Sequence, residues 1–326
     1  MNKHALVGLT IAAGLLAAPM LHAADSVADF PKSPMRIVVN FPAGGTVDTL
    51  ARIVGQKLTE KWGQPVTIDN RAGAGGNIGA GLVYTAEPDG YTLLASPPGP
   101  LSINQNLYKK LPYDPVKFVP VAMLASIPNV ITARADFPAN TLKELLAYAK
   151  AHPGKVTYGS QGNGSTSHLG GQMLANMGGV ELVHVPYKGE GPALIDLVAG
   201  RVDLFLGNIS AVVKFRQENK VKFLAVAAPT RAQTAPDVPT SAEAGLPGYE
   251  ASAWFALVAP PGTPAVLAQK LHAAVAEALL MPDVRQKIIA QGGEPASASP
   301  AQLAAFMAQE RTRWKTVIDT ANVTVD

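Results

Sequence analysis

Short β-rich runs alternate with stretches of helical apolar periodicity through most of this chain, and that alternation restricts its fold more than any other feature. Strand-like runs fall at 36–41, 66–69, 91–95, 130–132, 156–159, 182–185, 202–206 and 223–227. Between them lie single apolar stripes. Leu50, Ile53, Val54 and Leu58 form one; Leu142, Leu145, Leu146 and Ala149 form another, opened by a Thr141-x-x-Glu144 capping box. This order predicts α/β layers with mostly parallel sheets. The last 60 or so residues read as mainly helical.

Composition excludes several classes. At 48% hydrophobic and 16% charged, the chain has enough apolar surface to offset the ordering entropy of folding. The formal charge is only +3 and Lys/Arg never cluster into a block, which argues against nucleic acid as a partner. With no cysteine there is no disulfide, thiolate metal site, iron–sulfur cluster, cysteine nucleophile or lipid anchor on cysteine. Residues 1–23 read as a secretory leader: Lys3, an apolar segment at 5–18, then Pro19 and a small residue at Ala23 before Ala24. The segment is shorter than the roughly 18 to 20 apolar residues that span a bilayer. The expected product is an exported protein, periplasmic or secreted.

Two breaks interrupt the rhythm. Pro229, Pro236, Pro239 and Pro247 mark a connection with at most a short helix near Thr240-x-x-Glu243, and a kink is expected at Ile127-Pro128-Asn129.

Three turns share one design: a strand, a glycine-rich turn, then a helix start. They are 41–48 (FPAGGTVD), 70–77 (NRAGAGGN) and 160–168 (SQGNGSTSH). Glycines let backbone approach a ligand, and a helix N-terminus offers unpaired N–H groups to an anion. In α/β sheets, ligands bind at such strand ends. The same Ser, Thr and Asp residues could simply cap helices. Nucleotide fingerprints fail: Gly162-x-Gly164-x-x-Ser167 has Ser at the third position, and no phosphate loop occurs. There is no G-x-S-x-G or H-E-x-x-H. Beyond the leader the histidines are His152, His168, His184 and His272, and only His168 falls in a candidate turn. Ser165 with His168 could form a nucleophile and base, which makes an exported hydrolase the alternative reading. Trp254 and Phe255 read as core; Tyr187 and Lys188 follow a strand and can reach a cleft.

The stretches FPAGGTVDTLAR (41–52), NRAGAGGNIGA (70–80), YGSQGNGSTSHL (158–169), VPYKGEGPALIDLVAGRVDL (185–204), PDVPTSAEAGLPGYE (236–250) and WFALVAPPGTP (254–264) resemble the solute-binding receptors of tripartite tricarboxylate transporters, the Bug family. The resemblance covers nearly the whole chain after the leader. It implies a two-lobe α/β fold of the type II periplasmic binding class, with lobe one at 24–125 and 244–326 and lobe two at 126–243. It further implies a monomeric, non-catalytic receptor without cofactor or metal that passes a small carboxylate to membrane subunits. The carboxylate could belong to a dicarboxylate, an aromatic acid or an amino acid. Carried onto this sequence, the binding residues are Phe41, Ala43, Gly45, Thr46, Asp48, Ser160, Gly164, Ser165, Thr166 and His168, with Tyr187 and Asn208 at neighbouring strand ends. Two departures stand out. Gly207 replaces an Asp common in relatives, and the turn Ser96-Pro97-Pro98-Gly99-Pro100 is poorer in donors than is usual. Both favour a ligand with an apolar or aromatic body. Neither main motif contains Lys or Arg, so neutral donors and a helix dipole are expected to hold the carboxylate.

Overall fold

The computed structural model describes residues 29–296, 298–321 and 323–325, so the expected leader lies outside the described residues. Lobe one begins with β1 (Met35–Val39), helix α1 (Thr46–Trp62), β2 (Val66–Asn70), α2 (Asn77–Tyr84) and β3 (Thr92–Ser96). β1 pairs in parallel with both β2 and β3, which places the 41–48 and 70–77 turns at one edge of the sheet. α1 packs Val47, Leu50, Ala51, Val54 and Leu58 inward, and Gly63 in the left-handed region closes it.

The chain then enters β4 (Val119–Arg134), a 16-residue strand that belongs to both lobes. Its first part pairs antiparallel with β9 (Ser252–Ala259), from Val119 with Ala259 to Pro128 with Ser252. From Asn129 onward it pairs with β7 (Leu204–Asn208) and β8 (Val221–Val226). Lobe two is completed by α3 (Leu142–Ala151), β5 (Val156–Ser160), α4 (Thr166–Gly178), β6 (Leu182–Pro186), α5 (Glu190–Val198) and α6 (Ile209–Gln217). β5 pairs in parallel with β6 and β7. After β9 come α7 (Ala265–Leu280), α8 (Pro282–Ala290), the short β10 (Glu294–Pro295) on β4, and α9 (Pro300–Thr320).

The expectation of mostly parallel sheets is therefore corrected. Pairs involving β4 or β9 are antiparallel, so the sheet order β2-β1-β3-β9-β4-β7-β5-β6 is mixed. Neither strand shows period-two alternation, because both are buried on two faces, and β4 carries Pro120 and Pro128. The expected kink at Ile127-Pro128-Asn129 is likewise absent. The strand continues, and what changes there is its partner. Three backbone bonds of 2.9 Å tie the crossing: Asn129 N–H to Ala251 O, Ala227 N–H to Asn129 O, and Ala251 N–H to Ala227 O. At Thr240-x-x-Glu243 the reciprocal capping bonds close a turn rather than a helix.

The largest apolar cluster runs from Val39, Leu93 and Leu257 in lobe one to Phe205, Ile209 and Phe223 in lobe two. Trp254 and Phe255 are core as expected, and the Trp254 and Trp314 indole N–H groups both donate to buried Glu310. A smaller cluster joins Leu169 of α4 to Ile103, Leu107, Trp314 and Ile318 across the lobes. Among the described residues, no helix is long and apolar enough to cross a membrane.

Candidate functional site

Two cavities open between the lobes, of about 520 and 600 Å³, and Phe41, Pro42 and Gln161 line both. The first is walled by the α1 turn on one side and by the starts of α5 and α6 on the other, with Phe255, Pro97, Leu194 and Phe215 adding apolar surface. The second lies between the 72–76 turn, Tyr108, and the segments 161–163 and 186–188.

The α1 turn is held from behind. Asp48 is buried and accepts from Gly44 N–H (2.9 Å), Arg52 Nε (2.9 Å) and Asn70 Nδ2 (3.0 Å). Burial pushes the Asp48 carboxyl up, but the bonds from Arg52, Gly44 and Asn70 outweigh it and hold it below its usual value. Its N-cap, Gly45, has extended backbone and no side-chain cap. The first amides of α1 are thus left open towards the cavity.

Glu190, from the first turn of α5 in the opposite lobe, fills that opening. Its Oε2 accepts from Thr46 N–H at 3.1 Å, and Thr46 Oγ1 lies 3.0 and 3.1 Å from its two oxygens. Its Oε1 accepts from Gln161 Nε2 at 2.7 Å and Asn208 Nδ2 at 2.6 Å. Burial raises the Glu190 carboxyl above its ordinary value, opposed by the Thr46 and Asn208 bonds. Asn208 is buried, its amide also reaches Thr46 Oγ1, and its Oδ1 has no protein partner.

Among the sequence-derived candidates, Phe41, Ala43, Gly45, Thr46 and Asn208 line the first cavity, and Phe41 and Tyr187 line the second. The Tyr187 hydroxyl donates to Asp196 at 2.8 Å; burial and that neighbour push it up to about 12. Asp48 stands behind its turn. Ser160, Gly164, Ser165, Thr166 and His168 line neither cavity and are engaged within lobe two or against its neighbour. Ser160 Oγ bonds His184 Nε2 at 2.7 Å, and Thr166 Oγ1 accepts from Asn129. Ser165 caps α4 by accepting from His168 N–H and donates to Gly162 O at 2.6 Å. The His168 ring accepts from Gly164 N–H through Nδ1 and stacks on His184 at 4.1 Å. Burial lowers His168 to about 4, and burial with the adjacent ring lowers His184 to about 3. The Ser165 hydroxyl and the His168 imidazole are not bonded to each other, so the nucleophile–base pair of the hydrolase reading is not formed.

Gly207 also has a local explanation. A Cβ there would overlap the Phe205 ring, a buried core residue, so the glycine makes room for the phenylalanine. Sequence reasoning missed Gln161, Ser210, Lys214 and above all Glu190. A Glu at a helix start reads as an ordinary partner of that helix's own dipole.

Two α/β lobes joined by paired crossings, with a cleft lined by helix starts, define a periplasmic binding protein fold, as in the solved periplasmic transporter structure. The chain belongs to the tripartite tricarboxylate transporter family of receptors, whose model matches residues 50–323. It is 37% identical over 316 residues to the protein BugT of Bordetella pertussis, covering 96% of this chain and 95% of that one. The structure of R. palustris Rpa4515 with adipate superposes with TM-score 0.88 at 37% identity, covering 90% of this chain and 99% of that one. MatC from Rhodopseudomonas palustris with bound malate superposes with TM-score 0.84 at 38% identity, covering 89% and 100%.

Proposed function

We propose that this receptor works in the periplasm, capturing a small carboxylate with an apolar body between its lobes and passing it to the membrane subunits of a tripartite transporter. The observation that carries the reading is the uncapped start of α1. Its first amide, from Thr46, together with the Thr46 hydroxyl, Gln161 and Asn208, forms a seat for a carboxylate that is built from neutral donors and already holds one, from Glu190. Phe41, Pro97, Leu194, Phe215 and Phe255 around the same cavity suit an apolar or aromatic remainder. Relatives solved with adipate and malate support the carboxylate class.

The lobes are taken to divide where the strands cross, at Pro128/Asn129 and Ala251/Ser252, and to rotate about those points as one molecule closes on one ligand. A thermal-shift screen of adipate, malate, benzoate and phenylacetate against the purified protein tests the reading. Saturable stabilisation is expected for at least one acid, amounting to about 2.7 kcal/mol at a hundredfold excess over Kd. Stabilisation by sugars or other solutes that lack a carboxylate, with none by carboxylates, would overturn it.

A further inference from the structure

Glu190 occupies its position in a manner that ordinary interlobe packing does not require. Four donors converge on one carboxylate: Thr46 N–H and Thr46 O–H from lobe one, and Gln161 and Asn208 amides from lobe two. Four donors saturate a carboxylate's usual acceptor sites, leaving little with which to recognise a ligand's own donor. Those donors, in turn, are not available to a ligand carboxylate while Glu190 holds them. Two carboxylates in that space would repel strongly.

We propose that Glu190 is a tethered stand-in for the cargo carboxylate: it holds the empty receptor closed, and cargo binds by displacing it. This rests on the carboxylate-capture reading above. Three features make displacement feasible. Glu190 lies between two glycines, Gly189 at φ +111 and Gly191, and lines the 520 Å³ cavity, so no flanking side chain hinders its movement into that space. The residue is partly exposed, although its carboxylate is desolvated among these donors. Finally, Ser210, which shares a 2.8 Å hydrogen bond with Thr46 Oγ1, stays at the seat when Glu190 leaves, so the Thr46 hydroxyl keeps a partner. A tethered group competes at a high effective concentration, so it lowers the apparent affinity for any cargo by the fraction of molecules in which it is seated.

The test compares wild type, Glu190→Ala and Glu190→Gln by small-angle scattering without ligand and by calorimetric titration with adipate, malate, benzoate and phenylacetate. Glu190→Ala is expected to enlarge the radius of gyration of the free protein and to raise affinity for the bound acid about tenfold or more. Glu190→Gln keeps the shape but points an amide N–H₂ at donors, so it should change both readouts in the same direction. Unchanged scattering would overturn the holding role, and unchanged or weaker affinity in both variants would overturn displacement. If none of the acids binds any of the three proteins, carboxylate capture fails, while scattering still decides whether Glu190 holds the lobes together.

Discussion

The turns at 41–48 and 160–168 have the same plan, strand then glycines then helix, yet they treat their helix starts in opposite ways. Lobe one leaves α1 uncapped at Gly45 and braces the turn from behind with Asp48, so its amides face the cleft. Lobe two caps α4 with Ser165 and backs it with two stacked neutral histidines, so its donors are satisfied inside the turn. A strand–glycine–helix pattern identifies where a helix starts. Whether that start is open to a ligand depends on where the neighbouring side chains point.

Acid should separate the two turns most strongly. His168 and His184 are held neutral, with values lowered to about 4 and about 3 from 6.5, so the unfolded chain takes up their protons first as pH falls. Stability is full above 6.5 and declines below it, by about 2 kcal/mol per ring at pH 5. Asp48 loses stability in the same direction but at lower pH: its folded value lies below 3.8, so its contribution is present above that and lost only as pH falls further. Hydrogen exchange should show the 160–168 amides loosening between pH 6.5 and 4 while 41–48 stays protected. Simultaneous loosening would break the comparison, and His168→Gln should flatten the stability profile in that window.

Adding one methyl group should expose the next difference. Gly44 and Gly164 both have positive φ, of +82 and +78, but a Cβ at Gly44 meets nothing within 4 Å, whereas at Gly164 it would overlap the amide of Asn104 from lobe one. Gly44→Ala should cost about 1 kcal/mol of backbone strain. Gly164→Ala should cost about 2 to 3 kcal/mol in the closed form and favour an open cleft, read by thermal unfolding and scattering. Equal losses would mean that the lobe-two turn is not pressed against its neighbour.

Exchanging the caps gives the smallest effects. Ser165→Ala should destabilise by about 1 kcal/mol. Gly45→Ser, at a position whose extended backbone accepts it, should stabilise by a few tenths of a kcal/mol while weakening carboxylate binding. A serine at 45 that strengthens binding would show that the open amides are not what the carboxylate needs.

Much of this was readable from the residues. Apolar stripes at 3.6-residue spacing located α1 and α3, short β-rich runs located β1, β5 and β7, and glycine turns marked the strand ends that face the cleft. β9 and most of β4 were not, because a strand buried on both faces has no alternation to read, and β4's prolines argue against a strand. Glu190 was hidden for a different reason. Its partner Thr46 is 144 residues away, and no local pattern encodes a contact of that range. Ser165, Thr166 and His168 carry the right chemistry for a binding turn, but Ser165 turns it to capping α4, Thr166 to Asn129, and His168 to the Gly164 N–H and the His184 ring.

The unbroken course of β4 bears on how such a receptor moves. Its backbone passes from one sheet to the other without a loop, and Asn129, Ala227 and Ala251 remain laced together at that point. On the proposed hinge motion, opening would wind or unwind a short ribbon of extended chain, and the lobes would turn about it as on a torsion spring. Small rotations are cheap, because strands differ in twist by tens of degrees among themselves. Large ones would have to unlace the three bonds. The travel of the cleft is thus limited by the middle of a strand, at Asn129, whose register partner is the cleft residue Asn208.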